Sequence, residues 1–380
     1  NSSLNNILAN KIVLNIGLMS YSLYLWHQVI FSFYKSQFKI LNLSSLSLIL
    51  IIVYCLSFFT WKFIETPFRN KNTISFKVLL KIILFLSFFL FLSCSIIISF
   101  NGFYNYQIST QTEKNQTLLK SIQSSPMRTK CHNEKGLNYQ DSCEYFDGKL
   151  KVAVIGDSFV NETAYVLAKN LVTEKIKVKH LSFPGCPPLR KQIANNYSKN
   201  CVEWLDRNLT ELKADARIKT VVVNYNIYSH IYSGEIKYPT QPRFKTTKSF
   251  STRDHILKSY LFVINELIKA NKSVIIILPP PPLPFSVQEI ILKSKNSGNL
   301  NGVDYKWFLN YSDFIKNNLE FLDNKIEIID PAKHLCNEKT CFAGKNEIAY
   351  YFDHVHLTVN GVKLYAEELT NLVKNNLNYQ

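Results

Sequence analysis

Apolar residues are spread unevenly along this chain, and the change in their pattern divides it. In the first hundred residues they run together. No fixed charge stands between Lys11 and Lys35, between Lys39 and Lys62, or across residues 82–112. Each stretch supplies the roughly 20 residues a helix needs to cross the hydrocarbon of a bilayer. Three transmembrane helices are expected, two within residues 1–70 and one within 71–103. Residues 104–149 are polar and read as a linker with some helical character. Beyond them the pattern becomes that of a globular domain, residues 150–380. Short apolar runs predict strands at 151–155 (KVAVI), 176–183, 220–224, 273–278 (SVIIIL) and 325–329. Helical spacing predicts helices over 160–175, 201–214, 254–270 and 359–375. The four prolines at 279–282 lack amide donors and must form an irregular loop. Strands alternating with helices imply an α/β fold: a doubly wound, five-stranded parallel sheet with helices on both faces. Such a sheet binds ligands at the carboxyl ends of its strands.

Charge adds an orientation. The segment 62–81 carries Lys62, Arg69, Lys71, Lys77 and Lys81, whereas the preceding loop has only Lys35 and Lys39. The positive-inside rule makes the richer segment cytoplasmic and sends everything after about Gly102 to the far side of the membrane. Cysteine usage agrees with that side. Cys55 and Cys94 fall in the spans, leaving an even six in the soluble part, and nearness in sequence favours the pairs Cys131–Cys143, Cys186–Cys201 and Cys336–Cys341. An oxidising compartment sustains such bonds; six reduced core cysteines are the alternative. The net charge of +16 raises the question of nucleic acid. Without finger spacing, an aromatic RNA-binding strand or a dense basic helix, nucleic acid is not an expected partner, while an anionic glycan or lipid surface is compatible. The chain opens on Asn and runs directly into an apolar span, so a piece of a longer membrane protein is expected.

Two motifs carry the candidate chemistry. Gly156-Asp157-Ser158 follows the first strand, which sets the Ser158 hydroxyl at a carboxyl strand end beside the first turn of a helix. Gly156 permits a tight turn there, and Asp157 can accept from a neighbouring amide. Alone, the motif also fits a serine helix cap. Near the end, Asp353-His354-Val355-His356 supplies a carboxylate three residues before an imidazole, the spacing with which Asp353 can orient His356 while the other ring nitrogen faces Ser158. His354 is the competing base, but neighbouring residues point apart. Donors for an oxyanion are the amides of Ser158 and Gly185 and a side-chain amide from Asn224 or Asn226, although asparagines also end strands and Gly185 also suits a turn beside a disulfide. No further His or Cys cluster has metal-ligand spacing, so no metal is expected.

These residues make 150–375 resemble the SGNH (GDSL-type) hydrolases. The four family blocks appear as Gly156-Asp157-Ser158, Gly185 within PGCPP, Asn224 or Asn226 within VVVNYNIY, and Asp353-His354-Val355-His356. The third block lacks the glycine and aspartate of the family's G-x-N-D. The phrases SYSLYLWH, residues 20–27, and WKFIETPFR, residues 61–69, resemble the end of a membrane acyltransferase of the acyltransferase-3 family. In that family an arginine and histidine pair belongs to a first span that has no counterpart in this chain. The combination is similar to bacterial O-acetylases of lipopolysaccharide O-antigen. The resemblance implies a cytoplasmic acyl-CoA as donor to the membrane part, no cofactor bound by the SGNH part, and as partners the rest of the acyltransferase-3 domain, the lipid bilayer and a cell-surface polysaccharide acceptor. His27, inside a span, is either a polar functional group or a neutral side chain packed against a neighbouring helix. Glu65 and Arg69 are spaced to pair across one helical turn. The resulting expectation is an O-acyltransferase, most simply an O-acetyltransferase. An esterase using the same groups, with water as acceptor, and a catalytically silent glycan-binding module are the rivals.

Overall fold

The computed structural model describes residues 10–37, 42–69, 75–189, 199–233, 238–241, 243–244, 252–294, 299–319, 322 and 326–378. Lys39, Lys71 and Lys325, used above to place a loop charge or a strand end, lie outside them. The chain forms two compact units, residues 1–104 and 105–380.

Among the described residues of the first unit two helices are long and apolar enough to cross a membrane, Leu43–Arg69 and Phe76–Ser99. The first expected span differs. It is split at Met19 into α1 (Lys11–Leu18) and α2 (Ser20–Gln37), and α2 is diluted by Ser, Gln, His and Lys. Within α2, Ser22 Oγ donates to Glu65 Oε2 at 2.9 Å and Trp26 Nε1 donates to Thr60 Oγ1 at 2.8 Å. Ser22 and Trp26 of the first phrase are thus partnered by Glu65 of the second and by Thr60, the last residue of α3 (Leu43–Thr60), where an unpartnered donor would be costly. Glu65 also lies 3.4 Å from Arg69, the expected pairing. His27 Nδ1 is 3.2 Å from the Leu23 carbonyl of its own helix.

The second unit is built on a sheet whose central strands are the expected ones. They are β2 (Lys149–Gly156), β3 (Ile176–Ser182), β4 (Thr220–Asn224), β5 (Ser273–Ile277) and β7 (Ile326–Ile329), all parallel, with β1 (Glu144–Tyr145) antiparallel on the β3 edge. Among the described residues the order is β1-β3-β2-β4-β5-β7. Alternation sorts the apolar side chains onto two faces. Ala153, Ile155, Val221, Val223, Val274 and Ile276 pack towards helices Lys199–Ala214, Thr252–Lys269 and Tyr305–Leu319. Val152, Val154, Val222, Ile275 and Ile277 pack towards helices Val160–Asn170 and Val359–Asn378. Both faces are covered, which is why these strands read as unbroken apolar runs.

The structure also departs from the sequence reading, which had neither the helix Tyr305–Leu319 nor the antiparallel edge strand β1. The helix expected to reach residue 175 ends at Asn170. A small three-stranded antiparallel sheet, β6 (Asn299–Asp304), β8 (Thr340–Lys345) and β9 (Ile348–Ala349), was not anticipated, because its two longer strands mix polar residues and Gly with apolar ones and the third has two residues. Finally, the polar segment expected as a linker packs into the domain. Leu118, Leu119 and Cys131 are buried in its core, and Cys131 is bonded to Cys143. The other two expected disulfides, Cys186–Cys201 and Cys336–Cys341, are also formed.

Strand order fixes where a ligand can enter. From β2 the chain crosses to β3 on one side and then to β4 on the other, so the loops after β2 and β4 diverge and open a crevice at the carboxyl end of β2.

Candidate active site

Ser158 stands in that crevice, two residues past β2. Gly156 is required there for a reason other than the turn freedom expected of it. Its backbone touches the neighbouring strand so closely that a Cβ would fall 1.8 Å from the Asn224 carbonyl oxygen. Asp157 is buried and ties the loop down, accepting from the Phe159 amide at 3.1 Å and from the Asn226 amide, beyond β4, at 2.8 Å. Asn161 Nδ2 donates to the Ser158 carbonyl at 2.9 Å. The hydroxyl is therefore carried on a backbone held from three sides.

The tail of the chain delivers the partners. His356 Nε2 lies 2.6 Å from Ser158 Oγ, and His356 Nδ1 lies 2.6 Å from Asp353 Oδ2. The other oxygen, Asp353 Oδ1, accepts the amides of Val355 and His356, each at 2.7 Å. Burial pushes the Asp353 carboxyl up, but the hydrogen bond and charge of His356, with those amides, more than reverse this and hold it at about 2. A carboxylate ionised at neutral pH fixes the ring with its proton on Nδ1 and leaves Nε2 free to accept from Ser158. His354 is not brought to Ser158. Its carbonyl accepts the Leu283 amide at 2.7 Å, and it lines a cleft beside the site.

The run of four prolines has a use in this arrangement. Pro281 offers its carbonyl to the Tyr351 hydroxyl at 2.8 Å. Just after the run, Leu283 and Val287 donate to the carbonyls of His354 and Asp353, and Gln288 Nε2 donates to that of Phe352. One stiff segment thus clasps the loop that bears Asp353 and His356.

Among the oxyanion candidates the structure separates the two asparagines. Asn224 is buried, and its side-chain nitrogen donates to the Phe159 carbonyl at 3.0 Å and to Thr163 Oγ1 at 2.9 Å. Both hydrogens are used, so this residue is a strut between β4 and the helix Val160–Asn170 that follows β2. Asn226 caps the short helix Ile227–Ile231 through its oxygen, so the cap makes no use of its side-chain nitrogen. Gly185 is exposed with φ +60, a turn beside the Cys186–Cys201 bond.

Several residues around the site carried no sequence signal. The His356 ring lies between Phe352, stacked at 5.3 Å and 9°, and Phe159 at 4.9 Å. Arg128 covers the Phe352 ring at 4.7 Å, and its NH1 is 2.8 Å from both carboxylate oxygens of the buried Glu162. Phe159 and Phe352 adjoin the two motifs and are legible afterwards. Arg128 stands in the polar segment where no catalytic-domain residue was expected.

A cleft of about 440 Å³ opens on the β4 and β5 side, lined among others by Asn226, Ser229, Tyr232, Phe285, Tyr311 and His354. Among the described residues no Lys, Arg, Asp or Glu lines it. Among the described residues no three His, Cys, Asp or Glu side chains are grouped as metal ligands.

A parallel sheet with a Ser–His–Asp line at its switch point defines the class of serine-esterase and acyl-transfer domains. A family model described as "SGNH domain (fused to AT3 domains)" matches residues 130–371, and the chain belongs to that family. The match opens ahead of residue 150, where the domain was expected to start. Solved structures similar to this chain include an acylhydrolase of Bacteroides fragilis, 14% identical, covering 60% of this chain and 88% of that one with a TM-score of 0.35. A catalytic mutant of an acetylxylan esterase from Geobacillus stearothermophilus is 13% identical, covering 60% and 95% with a TM-score of 0.35. No curated protein matches the chain.

Proposed function

We propose that the chain O-acylates an extracytoplasmic polysaccharide, such as lipopolysaccharide O-antigen, and that the group transferred is acetyl. The observation that carries this reading is the continuous hydrogen-bonded line Ser158 Oγ, His356 Nε2, His356 Nδ1, Asp353 Oδ2. In the forward step Ser158 Oγ attacks the acyl carbonyl carbon while its proton passes to His356 Nε2. The negative oxygen faces the amides of Ser158 and Gly185 and the side-chain nitrogen of Asn226. As the intermediate collapses, His356 returns the proton to the leaving oxygen, and the acyl group remains on Ser158. A sugar hydroxyl then enters, His356 takes its proton, and the acyl group passes to the sugar oxygen as Ser158 is reprotonated. Asp353 stays ionised throughout.

Three observations support transfer to a glycan. The family is one of domains fused to AT3 membrane parts, whose resemblance makes a cytoplasmic acyl-CoA the source of the acyl group. Two apolar helices accompany the domain, and the charge pattern of their flanks favours its placement outside the cytoplasm. The cleft beside His356 offers aromatic rings and uncharged polar groups, a lining suited to a neutral sugar. Ser158→Ala should abolish both acetate release from an acetyl ester and acetylation of added glycan while leaving the domain folded. Activity persisting in that folded variant removes the reading. Release of acetate with no acetylated sugar at saturating glycan makes the protein an esterase instead.

A further inference from the structure

A chain of four side chains runs beneath the carboxyl end of β3 and has no part in the reaction above. The Tyr145 hydroxyl is 2.7 Å from His180 Nδ1, His180 Nε2 is 2.7 Å from Ser182 Oγ, and Ser182 Oγ is 2.8 Å from His132 Nδ1. Its polarity can be worked out from the buried end. Tyr145 is 2% exposed, and a phenol hydrogen left without an acceptor there costs about 1–3 kcal/mol, so Tyr145 donates to His180 Nδ1. With Nδ1 accepting, a neutral His180 carries its proton on Nε2 and donates to Ser182. Serine has one proton to give, and it goes to His132 Nδ1. The neutral His132 ring therefore carries its hydrogen on Nε2. Burial keeps both rings neutral: it holds His180 at about 3, while burial first and the Arg128 charge second hold His132 at about 4.

The position of this donor bears on the site. His132 ends the turn Arg128–Cys131, which is pinned by the Cys131–Cys143 bond and by the Arg128–Glu162 pair. Its partner Ser182 is in register with Gly156 of β2 and lies three residues before Gly185. In the same turn Arg128 covers the Phe352 ring that is stacked on His356. His132 is thus tied to the β3 side of the loop that carries Ser158, whereas the cleft lies on the β4 side.

We infer that His132 is a substrate-binding residue that donates its Nε2 hydrogen to an oxygen of the ester bringing the acyl group to Ser158. The inference rests on Ser158 being the nucleophile. Because Nδ1 is committed to Ser182, the ring can only donate, so it favours ester and sugar oxygens over amines or ammonium groups.

The test uses the full chain in detergent, with peracetylated glucose as probe and acetate release as readout. His132→Phe keeps a ring and removes the donor; KM should rise about tenfold, the factor of one ordinary hydrogen bond, with kcat within about twofold. His132→Gln restores a side-chain N–H and should recover most of that loss. Ser182→Ala frees the ring to turn and should raise KM by a smaller factor; it also carries the test should His132→Phe not fold. An unchanged KM in folded His132→Phe, or equal impairment of the Phe and Gln variants, overturns the inference. Ser158→Ala is run alongside: loss of release there with an unchanged KM in His132→Phe sinks only the role of His132, whereas retained release sinks the nucleophile as well.

Discussion

Removing the Arg128 guanidinium should unfold the domain more readily than removing both members of its ion pair. Glu162 has a side chain 3% exposed, and both its oxygens lie 2.8 Å from Arg128 NH1, with the Ser125 amide at 3.1 Å from one of them. In Arg128→Met the stem is kept, but a buried carboxylate loses its counter-charge, which costs about 3–5 kcal/mol. The guanidinium over Phe352 adds about 1 kcal/mol to that loss. In Arg128→Met with Glu162→Gln the stranded charge is gone, and about half of the loss should return. Urea unfolding in detergent, followed by the fluorescence of Trp204 in the domain core, gives the three free energies. A loss below about 1 kcal/mol for Arg128→Met, or a double variant no more stable than the single one, would refute the reasoning. Because Arg128 backs the Phe352 ring that is stacked on His356, the single variant should also lose acetyl-ester turnover below its unfolding transition.

Other expectations follow from the same geometry. Asp353→Asn should lower kcat by about 10⁴, as the wrong His356 tautomer becomes accessible, with substrate binding little changed in steady-state kinetics. The Asp353 carboxyl is held at about 2 against an ordinary 3.8. A lowered value means that its stabilisation is complete above about pH 4 and drains away as pH falls towards 2, so Asp353→Asn should flatten acid denaturation in that window. Asn226→Ala should lower kcat about 10²–10³-fold in steady-state kinetics while costing only about 1 kcal/mol of stability, the worth of the helix cap it removes. Asn224→Ala should weigh instead on stability, losing about 1–3 kcal/mol measured by urea unfolding, since it removes both hydrogen bonds that brace β4 to the helix after β2.

Much of this molecule is written in local pattern. Apolar runs of five to eight residues with helices between them specify the parallel sheet, because strands buried on both faces need no polar alternation. The motifs 156–158 and 353–356 are legible because each places its chemistry within a few residues: Asp353 reaches His356 inside one turn of chain. The disulfides are legible for the same reason, since each closes a short loop. The outcome at Asn224 and Asn226 was not legible. Two residues apart on one strand end, they differ only in which helix lies above them, and the Thr163 and Phe159 acceptors that claim Asn224 are about sixty residues away. The same limit hid Arg128 and His132. Polar residues in a polar segment give no sign of what they touch until a disulfide and a buried carboxylate fold that segment over the site. Residue order alone carries the five central strands, the spacing of serine, histidine and aspartate, and two of the apolar helices. Only tertiary structure decided which side chains surround that line, because hydrogen bonds between distant residues depend on how strands and helices cross rather than on order along the chain.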